Sequence, residues 1–238
     1  LKLFDVDFFI ESFPKILAKL PVTLLISVAA FLFAVIIGFI VALVKIYKVP
    51  ILQRLADIYI SFIRGTPVLV QLYIICYGIP KVIYYEQVNY SRLTAVDVNL
   101  IPGVIYVLVA YSVNIGAYQA ETIRSAIEAV GRGQMEAATS VGMTRTQTMV
   151  HVIIPQAFVI ALPNFGNALI SAVKDTSLVF VAGVIDILAQ AKILGARVFN
   201  FLEVYIAAAL VYWAICIVIE VLIKKTEEYI RRYERAIV

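Results

Sequence analysis

Three groups of polar side chains stand inside otherwise hydrocarbon-rich sequence, where each needs a partner or a water-filled path. Arg64, Thr66 and Gln71 lie in one stretch, Asn114, Tyr118 and Glu121 share a helical face at spacings of four and three, and Asn164 and Asn167 stand three apart. A polar passage, or a small ligand bearing both signs of charge, calls for a cation or amide donors on one side and a carboxylate or carbonyl groups on the other. These residues supply both. Each group also has a structural alternative. Polar side chains between helices in lipid commonly hydrogen-bond one another, and Arg64 could pair with Glu121 or Asp175 to fix packing. An arginine roughly 20 Å along a helix is costly in a bilayer unless it is paired or faces water. Gly65 and Pro67 beside it free backbone carbonyls, which a cavity or a neighbouring helix must satisfy. Further on, Asp175 or Thr176 is read as the N-cap of a short apolar helix, with Lys174 beside Asp175 lowering the cost of both charges.

Covalent and metal chemistry have no visible seat. The chain contains no H-E-x-x-H, no G-x-S-x-G and a single histidine, His151. Nor does it contain the phosphate-binding loop G-x-x-x-x-G-K-S/T, so it cannot hold ATP in that way. Cys76 and Cys216 both fall in apolar stretches and read as buried thiols.

The polar interlude from Gln134 to Pro155 separates two runs long enough to cross a bilayer. Met135, Ala138 and Val141 recur at helical spacing, Gly142 ends that helix, and Thr144 with Gln147 has the order of a capping box opening a second one. Two short helices hinged at a glycine make a compact knob. Glu136 beside Ala137 and Ala138 offers one charge next to two small residues, which lets another protein's surface approach closely.

The elements that must position these groups are membrane helices. With 63% hydrophobic and 15% charged residues in 238, the chain is far more apolar than a soluble domain, and no polar block is long enough to fold separately, so residues 1–238 form a single membrane domain. Residues 5–20 read as an amphipathic helix lying on the membrane surface. Pro21 to Val44 is an uncharged first span of about 36 Å. A second helix starts at Pro50 and stops at Gly78 and Pro80, and a mixed polar loop runs from Lys81 to Leu100. Pro102 opens a third helix to about Val130. A fourth span, Pro155 to Val173, is interrupted at Pro163 and Gly166. Ser177 to Gln190 is too short to cross and suits a re-entrant or buried helix, and a last span covers Glu203 to Ile223. The expectation is an all-α protein of about five spans. With the N-terminus outside, eleven basic residues at segment ends fall on the cytoplasmic side against eight outside, which places the C-terminus in the cytoplasm. The net charge of +4 belongs to these segment ends; no stripe for nucleic acid is present.

Glu136-Ala137-Ala138, then Gly142 after three intervening residues, and Pro155 after a further twelve resemble the EAA loop of ABC-importer permeases. Val152-Ile153-Ile154 departs conservatively from the family's Ile-x-Leu before that proline. Arg64-Gly65-Thr66-Pro67, Gly116-Ala117-Tyr118 to Glu121 and Arg124, and Leu162-Pro163-Asn164 to Asn167 followed by Lys174-Asp175-Thr176-Ser177-Leu178 extend the resemblance to the polar amino-acid branch across most of the chain. The resemblance implies a permease subunit of a prokaryotic cell (inner) membrane, coupled through Glu136, Ala137, Ala138, Gly142 and Pro155 to ATPase subunits that bind ATP and Mg²⁺. It implies a second permease copy, identical or a close paralogue, and an extracytoplasmic substrate-binding protein. The substrate class is a polar amino acid, with cystine and the basic amino acids among its members. The rival reading is an ATP-independent secondary transporter or channel, which calls for inverted repeats or a chain of mid-membrane acids. Neither is visible.

Overall fold

The computed structural model describes residues 3–90, 97 and 100–237, with 231–237 by backbone alone. Every regular element among them is helical. In chain order these are α1 (Val6–Leu17), α2 (Leu20–Ile46), α3 (Leu52–Gly65), α4 (Val68–Tyr73) running through a π-turn into α5 (Ile79–Tyr90), α6 (Gly103–Ala129), α7 (Arg132–Ser140), α8 (Arg145–Thr148), α9 (Ile154–Asp175), a 3₁₀ turn (Thr176–Ala182), α10 (Ile187–Val198) and α11 (Phe201–Ile237). Five helical units are long and apolar enough to cross a membrane: α2, α4 with α5, α6, the unit from α8 through α9 to the 3₁₀ turn, and α11. The protein is an all-α integral membrane protein.

α2 forms because residues 20–44 carry no charge and Pro21 sits in its first turn, where a missing N–H costs nothing. Its buried face is a ladder of small residues at a spacing of four: Ala30, Ala34, Gly38 and Ala42. That ladder lets α6 approach closely, as small residues do between helices in lipid. A Cβ on Gly38 would lie 2.7 Å from Cβ of Gln119 and 2.9 Å from the backbone nitrogen of Ala120, and one on Gly116 would lie 2.9 Å from Ile37. α9 lies against α6 and α2, with Phe31 and Phe165 meeting edge to face at 6.1 Å. At the other end of the bundle, Ile16, Ile187, Val204 and Ala207 form a separate apolar cluster joining α1, α10 and α11.

The structure departs from the sequence reading in five places. The second helix breaks at Gly65–Pro67, where Thr66 is extended, and resumes as α4. It does not stop at Gly78 and Pro80; a π-turn at Ile74–Gly78 takes in Gly78, Pro80 falls in the first turn of α5, and α5 continues to Tyr90, into the stretch expected to be loop. Residues 91–96, 98 and 99 of that loop lie outside the described residues. α9 passes through Pro163 and Gly166 without interruption. The short apolar helix divides into the 3₁₀ turn, a left-handed Gly183 and α10. The side-chain N-cap belongs to α10 and is Asp186: Oδ1 accepts from the Ala189 N–H at 2.8 Å and Oδ2 from the Tyr212 hydroxyl at 2.6 Å, whereas Asp175 stands at the N-cap position of the 3₁₀ turn without a side-chain capping bond. Finally, the N-terminal helix is amphipathic as expected but does not rest on the membrane alone. Phe8, Phe9, Phe13 and Ile16 pack on α10 and α11, and the Asp5 N–H donates to Glu203 at 2.7 Å.

Candidate translocation path and coupling knob

The break at Gly65–Pro67 exposes the carbonyls of Ile63 and Thr66. The buried side chain of Gln71 answers both, its Nε2 donating to Ile63 O at 2.8 Å and Thr66 O at 3.0 Å, with Thr66 Oγ1 at 2.8 Å. Gln71 Oε1 in turn accepts from Asn114 Nδ2 at 2.8 Å, which ties the break to α6. Gln71 therefore closes the backbone and is not at the surface of the cavity beside it.

That cavity is an open polar bay of about 490 Å³ between the start of α4, α6 and α9. Thr66, Asn114, Tyr118, Asn164 and Asn167 line it, so five of the eight polar positions singled out in the sequence meet there. A second concavity of about 500 Å³ adjoins it toward the coupling-loop end of α6 and brings in Arg64 and Glu121; the two share Tyr118, Thr122 and Asn164. Arg64 has no carboxylate partner among the described residues. Its guanidinium sits over the Tyr118 ring at 5.7 Å from the centroid, a cation–π contact. The ion pair expected with Glu121 or Asp175 does not form, because Glu121 is already engaged: Lys45 reaches it at 2.7 Å and Arg124 at 2.8 Å. Lys45 also meets Asp57 at 3.0 Å and Arg124 meets Glu128 at 2.7 Å, so one network pins α2, α3 and α6 together at the coupling-loop end. The local result is a bay with one uncommitted cation, several amides and hydroxyls, and the carboxylate of Asp175 on its far wall.

Four polar bay residues, Gln119, Thr122, Ser171 and Asp175, were not read as lining. Gln119 is fully buried and its Oε1 has no partner among the described residues. The missed signal is a stripe: Asn164, Asn167, Ser171 and Asp175 recur at three, four and four along α9, a pattern hidden by treating Pro163 as an interruption.

The knob matches its sequence reading closely. α7 presents Glu136 and Ala137 to solvent and buries Ala138. Gly142 takes φ +87°, a left-handed conformation that a side chain resists, and reverses the chain. Thr144 then caps α8 with both halves of the capping box, Gln147 N–H to Thr144 Oγ1 at 3.3 Å and Thr144 N–H to Gln147 Oε1 at 2.9 Å. Pro155 lies in the first turn of α9, just after a second π-turn at Met149–Ile153. The knob is stitched to α9 by Gln156 to Gln134 at 3.3 Å and by Met135 packing into the α6–α9 cluster. Nothing in the chain bonds the Glu136 carboxylate among the described residues. His151 is exposed beside the knob, with Nδ1 3.0 Å from Gln147 O.

A bundle of helices long and apolar enough to cross a membrane, with a polar bay on one flank and a compact helix-pair knob between two spans, fits a membrane permease. Residues 34–232 match the family described as the binding-protein-dependent transport system inner membrane component, and the chain belongs to it, as a permease component of the ABC importers. Among its relatives, the L-cystine transport system permease TcyL of Bacillus subtilis is 38% identical over 237 residues, covering 100% of this chain and 96% of the relative. The arginine transport system permease ArtQ of the same organism is 32% identical over 93% of this chain and 95% of its own. A crystal structure of an amino acid ABC transporter with histidines superposes with a TM-score of 0.81 at 32% identity, over 96% of this chain and 100% of that one. The inward-facing methionine ABC transporter shares the fold, with a TM-score of 0.68 at 16% identity. The secondary-transporter alternative finds no support in these likenesses.

Proposed function

We propose that this chain forms the path of an ATP-driven importer of polar amino acids and receives the work of ATP hydrolysis through α7 and α8. The observation that carries the reading is the knob: a short helix pair whose exposed face offers one unbonded carboxylate, Glu136, beside Ala137, and whose inner face is tied to α9, a wall of the bay. A push on α7 is therefore delivered to the helix that carries Asn164, Asn167, Ser171 and Asp175. ATP and Mg²⁺ belong to the partner ATPase. A second copy or close paralogue faces the bay, and an extracytoplasmic binding protein delivers substrate to the end opposite the knob. In this reading the N-terminus lies outside, and the knob and C-terminus lie in the cytoplasm.

The substrate class follows from the bay. Arg64, which pairs with no carboxylate among the described residues, receives the substrate carboxylate. Asp175 and the amide oxygens of Asn114, Asn164 and Asn167 receive the ammonium and a polar side chain. Tyr118 and Thr66 close the wall between them. Cystine and arginine, named for two of the relatives, both fit a bay with each sign of charge.

The test is uptake of radiolabelled amino acids and cystine into proteoliposomes holding the permease with its ATPase and binding protein. Wild type is expected to give ATP-dependent uptake, and Glu136→Arg to abolish it while insertion and melting temperature stay unchanged, since the side chain is exposed. Uptake without ATP, indifferent to the substitution, would sink the importer reading.

A further inference from the structure

A different cavity lies on the other flank of α6. It is a groove of about 300 Å³ between α2, α6 and α9, and no polar atom lines it. Its floor is built of Ala126, Ala157 and Ala161, and its rim of Ile36, Ile40 and Phe158, which are 56%, 57% and 50% exposed. The small floor residues are what make a depression: a larger side chain at any of them would fill it. Along each helix the groove occupies the half nearer the coupling loop. Ile40 is six residues from the end of α2, Ala126 three from the end of α6, and Ile154 opens α9.

We infer that this groove is a binding site for one acyl chain of a membrane phospholipid, taken from the leaflet on the side of the coupling loop. Three observations select that occupant. First, the groove lies wholly within bilayer-crossing helices and is lined by hydrocarbon alone, so a partner needing polar contacts finds none. Second, α6 sends its polar side chains, Asn114, Tyr118 and Thr122, to the opposite bay. On the proposed function, which this step rests on, a second permease copy completing that bay stands on the far flank and leaves the groove to lipid. Third, the exposed stripe of Ile36 and Ile40 continues at a spacing of seven to Tyr47, which is 54% exposed, with Lys48 next to it. On the α9 side, exposed His151 stands three residues before Ile154. A tyrosine, a lysine and a histidine at the mouth of a hydrocarbon groove suit an ester and phosphate headgroup. The attraction within the groove is packing and not exclusion of water, because the alternative for the chain is other lipid.

Only Ala126 is shared between this groove and the concavity that holds Arg64 and Glu121. An acyl chain bound here therefore touches the same stretch of α6 and α9 that the knob moves, and it sets how closely those helices close.

The experiment uses the intact permease in vesicles of phosphatidylethanolamine and phosphatidylglycerol that include a phospholipid with a mid-chain diazirine. After illumination, adducts are mapped by mass spectrometry. Residues 36–40 and 154–161 are expected to carry several-fold more label than Leu25 and Leu32, which are as exposed on the same helix but border no groove. Ala161→Leu, which fills the floor, is expected to remove that excess. Ile36→Trp with Ile40→Trp, which alters only exposed rim positions, is expected to reduce it in a protein that folds normally. Label spread evenly along α2 would overturn the proposal. So would an Ile40→Cys protein that forms a disulfide between copies, which would put a second permease in the groove. Neither outcome depends on whether amino-acid uptake is observed.

Discussion

The two faces of α6 are built to opposite specifications. Toward α2 it is dry and tight: Ala117 and Ala120 are fully buried, Gly116 meets Ile37, and Gly38 of α2 leaves no room for a Cβ. On the flank that faces the start of α4 and the polar stripe of α9 it is open and polar, with Asn114, Tyr118, Glu121 and Thr122 on cavity walls, while Ile123, Ala126 and Ile127 nearer the coupling loop meet α9 through hydrocarbon. Small residues on one face let dispersion contacts fix α2 and α6 as a single strut. Polar residues on the other face keep α9 from packing as closely, and a gap between helices persists for a solute. One helix thus serves as both frame and wall, and a displacement of α9 by the knob changes the gap without disturbing the strut.

Substitutions that attack the strut should cost stability, and those in the bay should cost transport alone. The largest effect is expected for Gly38→Leu, whose added atoms overlap Gln119 and the Ala120 backbone. About 3 kcal/mol or more of stability is lost, read as a lower melting temperature and poor recovery from the membrane. A normal melting curve would mean that the α2–α6 seam can open and that the contrast is false. Next is Gln71→Leu, which leaves the Ile63 and Thr66 carbonyls and Asn114 without a buried partner at about 1–3 kcal/mol. Because Gln71 is not on the wall of the bay, its uptake defect should scale with the amount of folded protein. Smaller again is the network at the coupling-loop end. Glu121→Gln and Lys45→Met each remove part of a partly exposed cluster, about 1 kcal/mol apiece, and the double variant should cost less than the sum because the two share one contact. Additive costs would show that the pair at 2.7 Å carries no coupling.

How much of this was legible in the sequence depends on how local the signal is. The knob's parts, Gly142 at a reversal and Thr144 with Gln147 at a cap, act within a few residues, and each reads correctly from spacing. Five spans are legible because hydrocarbon runs of that length have few other uses. Prolines and glycines are ambiguous by nature. Pro67 does break its helix and Gln71 repairs it from four residues on, whereas Pro163, Gly78 and Pro80 are absorbed within helix or π-turn. Whether a helix tolerates a lost N–H depends on what surrounds it, and that is tertiary information. The partner of Glu121 was beyond reach for the same reason: Lys45 is seventy-six residues away in sequence, and only the crossing of α2 and α6 brings it near.

The sharpest separation of frame from wall comes from the substitution with the smallest structural cost. Asn164 is exposed, lines both concavities, and gives its amide to no partner among the described residues. Asn164→Ala therefore loses no internal hydrogen bond, and α9 gains slightly in helix propensity, so stability should move by no more than about 0.5 kcal/mol. If the bay is the path, KM for uptake rises or turnover falls while melting temperature and ATPase coupling through Glu136 stay as in wild type. Should Asn164→Ala instead melt early, the amide is holding α9 to a neighbour, and the open face of α6 is a packing seam like the other. Unchanged uptake at unchanged stability would move the path off this stripe of α9 and onto the Arg64 and Tyr118 side of the bay.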